Sequence, residues 1–191
     1  MKKIFLASKS PRRKQILTDA GIDFDIINSS YDEQLDSHVF SYSKIEALAL
    51  NKALGAKEFA TNDALIIGAD TVVILDNIIL TKPKDFDDAY NMLSALSNKT
   101  HNVVTSICIY DTKTNLYKLH STTTELKFNK LTKEMITDYI NNFKPYDKAG
   151  AYGIQELPEG FVKSINGDIE NVVGIGKKAV VVLQNGGAMI L

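Results

Sequence analysis

The chain has 191 residues, 45% hydrophobic and 24% charged, with a formal net charge of −1, one cysteine and three histidines. That length suits a single domain spanning residues 1–191, of the roughly 100–200-residue class that buries a sizeable core without a disulfide or metal staple. The near-neutral balance excludes a globally basic nucleic-acid binder, and no apolar run approaches the roughly 18 residues that a membrane span requires.

The lone Cys108 lies in an apolar run and reads as a small strand hydrophobe, while His38, His101 and His120 have no zinc-ligand spacing. Met1-Lys2-Lys3 leads into too short an apolar run for a signal peptide, so the expected location is the cytoplasm.

In chain order, Ile4-Phe5-Leu6-Ala7 predicts a buried strand. Ser10 as N-cap, Pro11 at the first helical position and Gly21 beyond the end predict a helix between them. Residues 24–27 read as a second strand. A longer helix is expected from Ser43, where Ser43 and Glu46 fit a capping box and Ile45, Leu48, Ala49, Lys52, Ala53 and Ala56 form one mostly apolar stripe. Residues 65–69 predict a central strand running into Asp70-Thr71. Residues 72–75, then Asp76-Asn77, then residues 78–80 predict a hairpin that Lys82-Pro83 ends. Asp85 caps a helix to Leu96. Two long strands follow at 101–110 and 116–128, then a helix at 132–142, a loop-rich stretch at 144–156 and a strand at 161–165. Alternating strands and helices with hairpins among them predict a mixed β-sheet flanked by helices in an α/β fold.

Three segments carry residues suited to chemistry. Arg12 and Arg13 stand in the first turn of the predicted helix, where a cation is unfavourable by roughly 0.3–1 kcal/mol. With free backbone N–H groups and the hydroxyls of Ser8 and Ser10 they make a set suited to an anion; two solvated arginines on a surface helix are the plainer reading of the same segment. Asp70, after an apolar run, sits where an α/β sheet opens into a ligand crevice, and an ionised carboxylate there can hold a magnesium ion or orient a water. A turn aspartate is the plainer reading. Glu33 offers a second carboxylate, and Lys52 and Lys82 either meet a phosphate or lie in solvent. The third segment, residues 148–155, has two glycines that let a ligand approach the backbone, and Gln155 has an amide able to pair with a base edge. Gly174-Ile175-Gly176-Lys177-Lys178 fails the P-loop pattern, and no dinucleotide-binding glycine motif is present.

Together these segments resemble the Maf family of nucleotide pyrophosphatases. The resemblance rests on Ser8-Lys9-Ser10-Pro11-Arg12-Arg13, Gly68-Ala69-Asp70-Thr71-Val72-Val73, Lys82-Pro83, Leu96-Ser97 through Thr105, Asp147 through Gln155, Ile165-Asn166-Gly167 and Asn171-Val172-Val173-Gly174, in the family's order. It implies a mixed-sheet fold similar to inosine-triphosphate pyrophosphatases, two lobes around a cleft, and a homodimer. It also implies hydrolysis of dTTP and UTP to the monophosphate and pyrophosphate. By motif match, Asp70 would be the proton acceptor, and Arg13, Thr71 and Gln155 would set specificity. Ser8, Arg12, Glu33, Lys52 and Lys82 would complete the pocket, with Glu33 and Asp70 sharing a divalent cation, Mg2+ or else Mn2+. The chain departs from the family at Glu156, where glycine is usual, and at Ile175-Gly176-Lys177, so the last helix is expected to be short or altered.

Two rival readings make different demands. A non-catalytic protein that restrains septum formation has no need of Asp70. A nucleic-acid-binding domain would show a basic, aromatic-lined face, which the composition does not supply.

Overall fold

A computed structural model describes residues 2–32, 35 and 37–184. Seven strands form one mixed sheet in the order β2-β1-β3-β5-β6-β7, with β4 pairing β3 beside β1. β1 (Lys3–Leu6) lies parallel to β2 (Asp25–Ile26) and β3 (Ala64–Leu75); along β3, β5 (Thr100–Asp111), β6 (Tyr117–Phe128) and β7 (Val162–Asn166) each strand runs antiparallel to the next. The sheet is therefore mixed, as the alternating pattern predicts. β3 turns into β4 (Ile78–Leu80) through Asp76 and Asn77, whose φ values of 50° and 66° give the left-handed pair that a tight hairpin requires.

β3 is buried on both faces, which is why its sequence reads as a nearly unbroken apolar run rather than an alternation. Its even-numbered side chains face α2 (Tyr42–Leu54): Ile66 packs with Ala49 and Ala53, and Val72 and Ile74 with Ile45 and Leu48. Gly68 lets this helix lie against the strand, because a Cβ there would stand 2.1 Å from the Ala49 carbonyl oxygen. The odd-numbered side chains face two groups of helices. Ile67 and Ala69 meet Leu17 of α1 (Pro11–Asp19) and Ala179 and Leu183 of α6 (Lys177–Gln184). Val73 and Leu75 meet Leu93 of α3 (Phe86–Leu96) and Ile136 and Ile140 of α4 (Lys133–Phe143). Each such fully buried aliphatic side chain contributes about 1.5–3 kcal/mol.

Helix starts follow local capping. Ser10 and Asp85 cap α1 and α3 as expected, and Thr132, expected as the first helical residue, is instead the cap of α4; each side chain accepts an N–H three residues on. α2 differs: its cap is Ser41, which accepts from the Lys44 N–H, and not Ser43. Glu46 does not reach back to close a capping box; it accepts from the Ser121 hydroxyl at 2.9 Å, so its sheet partner wins over the local one. The loop-rich stretch contains short 3₁₀ turns at Ala149–Ala151 and Ile154–Glu156, and α5 (Ile169–Val173) follows β7. The β-branched run at 179–183 is helical because Ala179, Val180 and Leu183 bury one face against α1, outweighing propensity. Among the described residues no helix is long and apolar enough to cross a membrane.

Candidate active site

The register of β3 leaves a break in one of its edges. β1 pairs with residues 64–67 and β4 with residues 73–75 of that edge, while β5 follows the opposite edge along residues 65–74. Among the described residues, no strand pairs with residues 68–72 on the broken side. Asp70 and Thr71 stand in that break. The expectation of a carboxylate at a strand's carboxyl end is therefore corrected: Asp70 lies in the middle of a 12-residue strand. The apolar run pauses at Asp-Thr, yet the strand continues because β5 still pairs with it through Asp70↔Ser106 and Thr71↔Thr105. It is the neighbouring strand β1, not β3, that ends here and opens the crevice.

Alternation sends the two side chains to opposite faces. Asp70, 5% exposed, turns toward α2 and forms an ion pair with Lys52. Lys52 was expected to meet a phosphate or lie in solvent; its side chain is largely buried and held on Asp70. The cross-strand neighbours of Asp70 on this face are Ser106 and Ser121. Ser121 donates to Glu46, so the 2.8 Å contact between the two serines is a bond donated by Ser106 to Ser121.

Thr71 turns to the other face and meets Arg13. The Arg13 guanidinium donates to the Thr71 hydroxyl at 3.0 Å, the Ser8 hydroxyl at 3.2 Å and the Gly174 carbonyl at 3.1 Å. Thr105 directs its single hydroxyl proton to the Asn171 carbonyl at 2.8 Å, so Thr71 must donate to Thr105 across their 2.9 Å contact. The result is a directed chain from Arg13 through Thr71 and Thr105 to Asn171. Asn171, fully buried, in turn donates to the Val103 carbonyl and the Thr124 hydroxyl.

The rim of the break comes from three segments. The chain leaves β1 beside β3, with the Ala7 N–H donating to the Ile67 carbonyl, and delivers Ser8 to Arg13. Ser10 caps α1 through the Arg13 N–H, and its own N–H donates to the Ser8 hydroxyl. On the far side, Lys82 is exposed just beyond β4. The Gly150 N–H donates to the Thr81 carbonyl, and Gly150 rests on Val73 at φ +67°, where a Cβ would stand 2.8 Å from the valine. Arg12 and Asp147 approach to 3.6 Å and join the two sides. Gln155 is exposed and lines a cavity of about 530 Å³ with Ile16, Ala20, Glu170 and Val173, one turn along α1 from Arg13. The structure thus brings together Ser8, Ser10, Arg13 and Thr71, and separately Lys52 and Asp70. Arg12, Lys82 and Gln155 stand around them. Glu33, expected to share a metal with Asp70, lies outside the described residues.

Thr105, Asn171 and Lys148 carry no role in the sequence reading although they stand in its motifs. The first two become legible only through the β3–β5 register. Lys148 would have been signalled only by its carboxylate neighbours, Asp147 and Glu156. Two other groups are core. Burial pushes the Cys108 thiol up to about 12, so it is an inert hydrophobe. His101 shares a 2.8 Å hydrogen bond with Tyr152 inside an aromatic cluster with Phe128, and burial lowers its pKa to about 4.

A buried carboxylate beside an ammonium at an open strand edge can accept a proton or hold a hard cation, and the surrounding arginines and lysines suit a polyanion. Comparison with known proteins places the chain in a family. The family described as Maf-like protein matches residues 3–185. A protein of Clostridium novyi named dTTP/UTP pyrophosphatase is 44% identical over 174 residues, 91% of this chain and 91% of its own length. Proteins of the same name from Thermosipho africanus (46% over 173 residues; 91% of this chain and 87% of its own) and Alkaliphilus oremlandii (41% over 186 residues; 97% and 96%) are similarly related. A solved nucleoside-triphosphatase, the dITP/XTP pyrophosphatase of Mycobacterium abscessus, is 15% identical at a TM-score of 0.45, covering 66% of this chain and 72% of its own, a likeness too distant to carry an inference. On the family match and these identities, the chain belongs to the Maf-like protein family.

Proposed function

We propose that this chain hydrolyses dTTP and UTP, and modified pyrimidine nucleotides of the same edge pattern, to the nucleoside monophosphate and pyrophosphate. The observation that carries the reading is the buried Asp70–Lys52 pair at the broken edge of β3, in a chain 40–46% identical to proteins named for that reaction. Water attacks the α-phosphorus, the bond from that phosphorus to the bridging oxygen breaks, and pyrophosphate leaves with the bond's electrons. Asp70 accepts the proton of the attacking water. Lys52 steadies the carboxylate against α2. Arg12 and Lys82, from opposite sides of the break, hold the triphosphate together with the Ser8–Arg13 segment, so the reacting atoms meet in one geometry. Thr71 and Arg13 set the floor on which the sugar and base lie, and Gln155 reads the pyrimidine edge through its amide.

The donor set fits a hard divalent cation. Asp70 offers carboxylate oxygen, and no three His, Cys, Asp or Glu residues gather among the described ones. Mg2+ commonly takes one or two carboxylates and completes its shell with water and phosphate. Asp70 and Glu33 would hold it, and once bound it supplies neutralisation of the charge growing on the phosphate oxygens; Mn2+ accepts the same donors. The reading also places the protein in the cytoplasm as a homodimer, with nucleotides rather than nucleic acid or membrane as its partners. The near-neutral charge speaks against nucleic acid or an anionic membrane as the partner.

The test is pyrophosphate release from a panel of canonical and modified nucleoside triphosphates with Mg2+, with and without chelator. Release from dTTP and UTP that chelator removes and Mg2+ restores is the expected result. No release from any nucleotide by folded protein would overturn the reading in favour of a non-catalytic role.

A further inference from the structure

Lys148 is the most buried lysine near the candidate site, with 7% of its surface exposed. Its ammonium lies 2.8 Å from Asp147 Oδ1 and 3.2 Å from Glu156 Oε2. The two carboxylates come from opposite ends of one loop, so a single cation draws that loop shut. The backbone is wound on the lysine stem: a Cβ at Gly153 would meet Lys148 Cε at 2.9 Å and Glu156 Oε2 at 3.1 Å. The Gly153 N–H is fixed by the Tyr139 hydroxyl, and the Glu156 N–H donates to the Gly153 carbonyl. Gln155 rides on this closed turn immediately before Glu156. Asp147 extends the ionic row to Arg12 on α1. Burial raises the Asp147 carboxyl, but Lys148 and Arg12 outweigh it and hold it below the usual range.

We propose that Lys148 is a positioning residue for base selection: its buried ammonium, bridging Asp147 and Glu156, sets where Gln155 stands, so that breaking the bridge relaxes the choice of base while hydrolysis continues. The inference rests on the nucleotide reading above and on Gln155 facing the base. Its physical basis is that a buried ammonium drawn to carboxylates from both ends of the loop holds that loop in one geometry, whereas Gln155 itself is exposed. Lys148 touches neither the Asp70 side chain nor the reacting atoms, so its effect falls on discrimination.

Three variants test it. Glu156→Gln keeps the shape and removes one charge, Lys148→Met keeps the stem and removes the ammonium, and Lys148→Arg keeps the cation. In Glu156→Gln and Lys148→Met the ratio of kcat/KM for UTP over CTP should fall about tenfold, with kcat for UTP changed less than about threefold; a displacement near 1 Å is enough for such a loss. Lys148→Arg should retain most of the ratio. Amide hydrogen exchange at residues 153–156 should quicken in Glu156→Gln, and this readout needs no substrate. An unchanged ratio in Glu156→Gln, or an equal fall in kcat for every nucleotide, would overturn the proposal. Should Lys148→Met fail to fold, Glu156→Gln still decides, because that residue is only partly buried. Wild-type protein that releases no pyrophosphate would overturn the nucleotide reading instead, leaving the exchange result to judge the loop closure separately.

Discussion

On the face of β3 turned to α2, Asp70 meets a cation, Lys52, and its cross-strand neighbours are serine hydroxyls. On the opposite face, one residue later, Thr71 meets Arg13, whose guanidinium donates to the oxygens of Ser8, Thr71 and Gly174 and is backed by the directed hydroxyls leading to Asn171. The first face compensates charge with charge. Either partner's loss then leaves a buried ion, and a carboxylate held this way stays ready to take a proton or a cation. The second face works as a strut tying α1 and α5 to the sheet. One strand thus separates the ion pair from the strut simply by alternating.

The largest effect that would test the contrast is Asp70→Asn. It leaves the strut untouched and should lower pyrophosphate release about 10³-fold, as loss of a positioned general base does, and should also lower the unfolding midpoint, because the Lys52 ammonium loses this carboxylate. A variant that keeps its activity would break the comparison at its reactive side.

His101, on the same side of β5 as Thr105, gives the strut face a measurable pH dependence. Its pKa is lowered to about 4 from 6.5, so the unfolded chain binds a proton between those values that the native protein refuses. Stability should be full above pH 6.5 and fall as pH drops toward 4, by up to about 3 kcal/mol at roughly 1.4 kcal/mol per pKa unit. Urea unfolding of wild type and His101→Gln at pH 7 and 4.5 checks this; the variant should lack that part of the slope.

Gly68→Ala attacks the α2 face through packing. The added Cβ would overlap the Ala49 carbonyl oxygen at 2.1 Å and push off the helix that carries Lys52, costing about 2–3 kcal/mol. Denaturant midpoints measure the cost, and a fall in kcat with it would tie α2 placement to Asp70.

Thr71→Val should have the smallest effect, about 1 kcal/mol, since it removes one acceptor for Arg13 and one donor to Thr105 without changing shape. A double-mutant cycle with Thr105→Val measures their coupling. Full additivity would show that the hydroxyl chain is not cooperative.

Residues whose role is local were legible in the sequence. Ser10, Pro11 and Asp85 mark helix starts because a cap needs only its own next turn, and Asp76-Asn77 marks the hairpin because both residues tolerate positive φ. The motif order was enough to assign the family and to single out Asp70, Arg13, Thr71 and Gln155. Ser41 displacing Ser43 as the cap of α2 was not legible, because Glu46 is claimed by Ser121 from 75 positions away. Nor were the break in β3, the burial of Lys52 on Asp70, or the ring that Lys148 closes. Each depends on which strand ends where and on which helix lies against it, and register and packing are properties of contacts between distant segments. Composition, caps and motifs determined what chemistry the chain carries; only the tertiary structure decided that the acidic group and the arginine strut lie on opposite faces of one strand, because alternation acts on a side chain only once the strand's partners are in place.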